Sequence, residues 1–433
     1  MTSVEIGSGA TARGASRPMS WPICATVFFI GSVILWADRS NFGVAAAVWS
    51  KSYGWTKATT GLMLSAFSFG YLIAMPIGGW LTDRLGPRRT LGGCMAGWSL
   101  WVLCTPIAPA VIWLTALWRV LLGSFEAPYI PGSSAAVARA VSADTRRGRF
   151  GAFVQSGAQL GPAVGVAAAG AILAASGSAA MIFIVFGLLG LAVAALWWLY
   201  ARNFSDPAPV GAAAQTEEAR ARAAQAPVPY RKLITSPALW PLYFGYFALP
   251  YCQYIFLNWL PIYLTQYRHI SLTTASYLSA LPYIVAFLAV NFTGWGMDWF
   301  AARGWRAGAI HRKLFIGLGA ATYVVTVLIA ANTASSTLAV TMIIVANAGL
   351  SCYVIPFWTI CTDMTPTQNG SLSSLMNFCG IIGATLSPFV SGVIADATGA
   401  FVAPLELAAA IMVIASITAL IFVRVKPLRE LVG

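Results

Sequence analysis

Twelve apolar runs, most of them close to 20 residues long, constrain this chain more than any other feature. They fall at roughly 21–48, 58–82, 90–107, 110–138, 149–175, 179–201, 238–265, 273–299, 311–331, 336–361, 370–396 and 402–423. A helix of about 20 apolar residues crosses the ~30 Å hydrocarbon core of a bilayer. Lipid offers no hydrogen bonds to the backbone, so only helices or closed barrels span it. The short alternating segments of a barrel are absent. The expected class is therefore an all-α integral membrane protein with 12 transmembrane helices. Composition agrees: 58% of residues are hydrophobic and 9% charged, where soluble domains carry about 25% charged residues. Residues 1–18 are rich in Gly, Ser and Ala and precede a run long enough to span, so no cleavable signal is expected.

The longest polar break is "RNFSDPAPVGAAAQTEEARARAAQAPVPYRK", from Arg202 to Lys232. Its Pro/Ala-rich composition reads as a linker, with a short surface helix around Thr216–Ala224. The expected organisation is an N-terminal tail (1–20), a six-helix bundle (21–201), a linker (202–237), a second six-helix bundle (238–424) and a C-terminal tail (425–433). The halves repeat one another. Gly79-Trp80-x-x-Asp83 recurs as Gly294-Trp295-x-x-Asp298, and Gln155 and Gly161 match Asn377 and Gly383. A six-plus-six duplication predicts a central site between two pseudo-repeat bundles.

The net charge of +13 would suit nucleic acid, but its distribution follows topology. With the N-terminus placed inside, 21 Lys and Arg fall on the cytoplasmic side and only Lys51, Lys57 and Arg268 outside. That bias predicts two cytoplasmic termini and leaves nucleic-acid binding without support. The seven cysteines are scattered without a C-x-x-C pair, which reads as small membrane-core residues rather than metal or redox chemistry.

Against this apolar background, the ionisable residues well inside the spans are Asp38, Arg39, Arg119 and Glu126, with His269 near a mouth. Charges at bilayer depth are costly and mark ion or substrate paths. Arg119 and Glu126 stand two turns apart on one helix face, whereas Asp38 and Arg39 point about 100° apart. On that geometry one of the latter faces a cavity and the other a neighbouring helix. Two acid–base pairs can be structural staples. They are also what a proton-coupled anion carrier needs. A guanidinium receives a carboxylate bidentately, and a desolvated carboxylate can become neutral near working pH. Arg39 fits the first role, Asp38 and Glu126 the second. Gln155 and Gln159 lie one turn apart, with one expected to face substrate. Asn377 suits a sugar hydroxyl. Gln253, Tyr254, Asn258 and Trp358 either line the second half or act as interhelical glue. His269 reads as a surface histidine.

"GGWLTDRLGPRRTL" resembles the loop 2–3 signature of the major facilitator superfamily, with Gly79, Asp83, Arg84, Gly86, Arg88 and Arg89 in place. "WRVLLG" resembles its Arg-x-x-x-Gly motif at Arg119 and Gly123. "WADRSNFGVA", "RVLLGSFEAPYIPG", "NWLPIYL" and "IPFWTICTDMTP" are similar to the anion:cation symporter branch. The resemblance implies protonation sites at Asp38 and Glu126 and substrate contacts at Arg39 and Tyr71. Arg119 would then tune Glu126 or complete a relay. Asp83 with Arg84, Arg88 and Arg89 becomes the gate latch of the outward-open state. Tyr71 through Pro76 and Pro128 through Pro131 supply the bent helix ends of moving gates.

The expectation is a secondary transporter in a bacterial inner membrane. It takes up a small organic anion with protons, by alternating access. The anion is a sugar acid of aldonate, hexuronate or glucarate type, and an aromatic carboxylate is the alternative. No metal and no cofactor beyond the proton gradient are expected, and the protein is expected to be monomeric. "GAQLGPAVG" (157–165) resembles the G-x-x-x-G-P motif of antiporters and keeps an exchanger open. No catalytic motif supports an enzyme.

Overall fold

The computed structural model describes residues 21–107, 109–130, 132–133, 146–201, 228–304, 310–365 and 368–432. Among them the chain is helical throughout, with no strand. The elements are α1 (Trp21–Ser52), α2 (Lys57–Cys104), α3 (Ile112–Glu126), α4 (Arg146–Ser176), α5 (Ala179–Tyr200), a short α6 (Tyr230–Thr235), α7 (Trp240–Gln266), α8 (Leu272–Ala302), α9 (Ile310–Asn332), α10 (Ser336–Met364), α11 (Asn369–Thr398), α12 (Val402–Phe422) and a short α13 (Leu428–Val432). The predicted spans two and three are the two arms of α2, which breaks at Gly86 (φ 77°, ψ 158°). That positive φ suits glycine, and Pro87 follows it. With α2 counted as two, the elements supply the twelve transmembrane helices of the expected fold.

Three predictions shift. Span four does not continue as one helix to residue 138. It ends at Glu126 and turns at 127–128 before helical residues resume at 129–130. Pro128 has no N–H to extend the ladder and its ring clashes with the preceding turn. The last part of the expected linker is ordered: α6 lies within it, and Val228 exchanges two hydrogen bonds with the Gln368 amide at 2.9 and 2.8 Å. The expected C-terminal tail carries α13, with Leu428 buried. The surface helix at 216–224 lies outside the described residues.

Helix pairing repeats between the halves. α1 packs on α4 and α7 on α11; the second arm of α2 packs on α5 and α9 on α12. Glycine permits the first of these pairings in each half. A Cβ at Gly161 would stand 2.7 Å from Val33 O of α1, and one at Gly383 would stand 2.5 Å from Phe247 O of α7. The repeat inferred from these two residues is thus a repeat of backbone contacts. Gly161→Val is expected to lower the melting temperature in detergent by several degrees, since overpacking costs about 1–3 kcal/mol. Gly93→Ala, with nothing within 4 Å of its added Cβ, is the control expected to keep full stability.

Among the described residues, Arg84, Arg88, Arg231, Lys232, Arg312 and Lys313 lie toward one end of the bundle, here the basic face. Lys51, Lys57 and Arg268 lie at the other. The halves meet through α2 and α11, α4 and α8, and α1 and α7. Among the described residues, the hydrogen bonds joining the halves are Lys57 and Ala58 to Asp396, Lys57 to Ala395, Phe389 to Ser65, Gln266 to Ser50 and Arg39 to Tyr254. All lie between mid-membrane and the face opposite the basic one, so that face is the closed one.

Candidate functional site at the centre of the bundle

The polar stretch of α1 sits at the middle of the bundle, where neighbouring helices cover it. Asp38 and Arg39 are 2% and 3% exposed, and Arg119 and Glu126 on α3 are 1% and 0%. Burial on this scale requires partners, and they come from across helices. Arg39 Nε donates to Glu126 Oε2 at 2.9 Å. Arg39 Nη1 donates to the Tyr254 hydroxyl on α7 at 3.4 Å. Three rings enclose the guanidinium, with Cζ 4.4 Å from the Trp36 centroid, 4.7 Å from Tyr71 and 5.1 Å from Phe67. Arg119 lies 4.2 Å over Phe42 and 5.1 Å over Phe67. Desolvated cation–π contacts of this kind contribute about 2 kcal/mol each.

These contacts redraw one sequence expectation. Asp38 and Arg39 do not divide between a cavity and a neighbouring helix: both are enclosed, and Asp38 Oδ1 accepts from Asn41 on its own helix at 3.3 Å. Nor is Glu126 bonded to Arg119, its neighbour two turns away. Its direct partner is Arg39, from another helix. Arg119 acts on Asp38 and Glu126 only at longer range.

The satisfaction of the cluster is incomplete. Asp38 Oδ2, Arg39 Nη2, Arg119 Nε and Nη1, and Glu126 Oε1 are buried without a hydrogen-bond partner. Each such group costs about 1–3 kcal/mol, more when charged.

Among the other predicted site residues, Tyr71 is buried against Arg39. Gln159 and Asn377 are half-buried on α4 and α11. Trp358 is 40% exposed and meets Tyr246 edge-on at 5.8 Å, so the direct contacts of Arg39 exclude it. The side chains of Gln155 and Asp83 lie outside the described residues, and Gly79 lies within the first arm of α2. Of the gating motif, Arg84 sits over the Trp80 ring and Arg88 over Trp198, while Arg89 is exposed beside Gly86 and its break in α2.

Tyr254 is the residue that sequence reasoning left among the interhelical candidates. A signal for it existed. It stands 215 positions after Arg39, the same interval that separates Gly79 from Gly294. Equivalent positions on the first helix of each half meet near the pseudo-twofold axis.

The sequence compares directly with known proteins. The chain is 27% identical over 402 residues to the hexuronate transporter of Bacillus subtilis, covering 92% of this chain and 93% of that one. It is 25% identical over 382 residues to a probable chloroplastic anion transporter of Oryza sativa, covering 87% of this chain but 64% of the rice protein. In fold it is similar to a bacterial homologue of the human lysosomal transporter Spinster, solved inward-facing and unoccupied. That match has a TM-score of 0.72 at 18% identity and covers 94% of this chain and 96% of that one. Anion and sugar-acid carriers among the relatives agree with the anion:cation symporter branch, and they point to a transporter, not an enzyme. The family model for the Major Facilitator Superfamily matches residues 28–387, and the chain belongs to that superfamily.

Proposed function

We propose that this transporter takes up a small organic anion together with protons, and that the anion is a sugar acid. The observation that carries the reading is the Arg39 guanidinium. It is held by Glu126 on one edge, enclosed by aromatic rings and unbonded at Nη2. Charge arithmetic supports the coupling. With both acids ionised, Asp38 and Glu126 balance Arg39 and Arg119 and the buried cluster is neutral. A bound monoanion makes it −1 in a low-dielectric site, and one proton on either acid restores neutrality. On this reading at least one proton accompanies each carboxylate, since an unbalanced buried charge is strongly disfavoured. Asn377 and one of Gln155 and Gln159 are the hydroxyl partners that distinguish a polyol acid from a plain carboxylate. The sugar-acid class rests on the hexuronate carrier among the relatives. On this reading the basic face is cytoplasmic, the membrane is a bacterial inner membrane and both termini lie inside.

The test is a thermal-shift screen of the purified protein against aldonates, hexuronates, glucarate and aromatic carboxylates. A ligand of the folded state raises its stability by mass action, by about 2.7 kcal/mol at 100 times Kd. A hit is then reconstituted into liposomes. The expected result is sugar-acid uptake that accelerates as the outside is acidified and runs without substrate inside. Uptake that requires an internal counter-anion overturns symport in favour of exchange. Stabilisation by aromatic acids alone overturns the sugar-acid class.

A further inference from the structure

Lys57 and Asp396 are each misplaced for their own helix. Lys57 is the first residue of α2 and Asp396 lies in the last turn of α11. A cation at a helix N-terminus and an anion at a helix C-terminus both oppose the local dipole. Across the seam between the halves the placement is reversed. Asp396 Oδ1 accepts from Lys57 N–H at 2.9 Å and Oδ2 from Ala58 N–H at 2.6 Å. These are first-turn amides, which have no partner within their own helix. In return Lys57 Nζ donates to Ala395 O at 3.3 Å, a last-turn carbonyl of α11, and lies 5.0 Å from the Tyr267 centroid. Each side chain caps the other half's helix. No direct Lys57–Asp396 side-chain ion pair occurs.

Below this crossing the seam closes at one-turn intervals. A Cβ at Gly392 would lie 2.3 Å from Lys57 O and one at Gly61 2.4 Å from Pro388 O, while Phe389 N–H donates to Ser65 Oγ at 3.0 Å. Every one of these contacts joins the first half to the second. All must break for the face opposite the basic one to open.

We propose that Asp396 and Lys57 form the latch that holds the outer face closed, by exchanging helix-end caps between the halves. It is the counterpart of the Asp83 motif, expected at the other end of the first arm of α2 in the opposite state. The proposal rests on the alternating-access reading but not on the identity of the cargo.

The test uses Thr60→Cys. Thr60 is buried and lines a cavity of about 510 Å³ together with Lys57 and Asp396. The reaction of this cysteine with a membrane-impermeant maleimide added outside whole cells reports opening, after subtraction of the parent protein's own rate. Asp396→Asn, which is isosteric, and Lys57→Met are each expected to raise the labelling rate about fivefold, the scale of one helix-end charge. Asp396→Glu keeps the charge and is expected to stay near the parent rate. The swapped pair Lys57→Asp with Asp396→Lys distinguishes this latch from a simple ion pair. Each charge would then suit its own helix, and the swap is expected to stay open. Unchanged labelling in both single variants overturns the proposal, as does restored closure in the swap. Melting curves of each variant in detergent exclude unfolding as the source of a higher rate, because an unfolded fraction would also lower the melting temperature, and Lys57→Met reads the same latch from the other half.

Discussion

Arg39→Lys is expected to weaken anion binding by about 10- to 100-fold while the protein stays folded, since hydrogen bonds to charged groups contribute about 1.5–3 kcal/mol. The reasoning is geometric. The guanidinium serves two acceptors at once: its Nε edge holds Glu126 and its Nη end faces Tyr254 with Nη2 unbonded. An ammonium has the charge but no fork, so it satisfies Glu126 or cargo, not both in plane. Lysine also loses the guanidinium's contacts with the Trp36 and Tyr71 rings. The lysine variant is preferable to alanine because removing the cation leaves Glu126 buried and unpaired, which costs about 3–5 kcal/mol and would confuse binding with folding. The measurement is the ligand-dependent shift of the melting temperature, read beside the melting temperature without ligand. A wild-type Kd in Arg39→Lys removes Arg39 from the anion site.

The pieces legible in the sequence were those written as one-dimensional patterns. Span length gave the helices, and the asymmetry of Lys and Arg gave an orientation. The rarity of charge at bilayer depth singled out Asp38, Arg39, Arg119 and Glu126. Pairing among them was not legible. Two turns of one helix place Arg119 and Glu126 on one face, which names no partner for either; Glu126 bonds Arg39, 87 positions away. Helix packing decides which faces meet, and α1 brings Arg39 to the end of α3, where Pro128 has already broken the helix. Tyr254 was legible in principle through the repeat interval, but a tyrosine in an apolar helix carries no mark of its own. Nor was Asp396 legible, because its partner is a helix end 339 positions away.

The second large effect concerns Glu126→Gln, which fixes the side chain in a form without charge. The amide oxygen can still accept from Arg39 Nε, so the site keeps its shape. The buried cluster changes from neutral to +1: Asp38 now stands alone against Arg39 and Arg119. An arriving monoanion restores neutrality without any proton, so its binding no longer draws a proton into the site. Cargo and proton are then separate equilibria, with no coupling free energy between them. The expected variant binds anion at least as tightly as the parent and exchanges labelled for unlabelled anion across proteoliposome membranes. Concentration is what it loses. For one proton per monoanion, an inward gradient of one pH unit supplies about 1.4 kcal/mol and sustains about tenfold accumulation; the variant is expected to stop at about equal concentrations inside and out. Asp38→Asn separates the two acids. If Asp38 alone carries the coupled proton, Glu126→Gln still accumulates cargo tenfold and Asp38→Asn does not. If neither change lowers accumulation, the four charges are a structural cluster and the anion is driven by another ion.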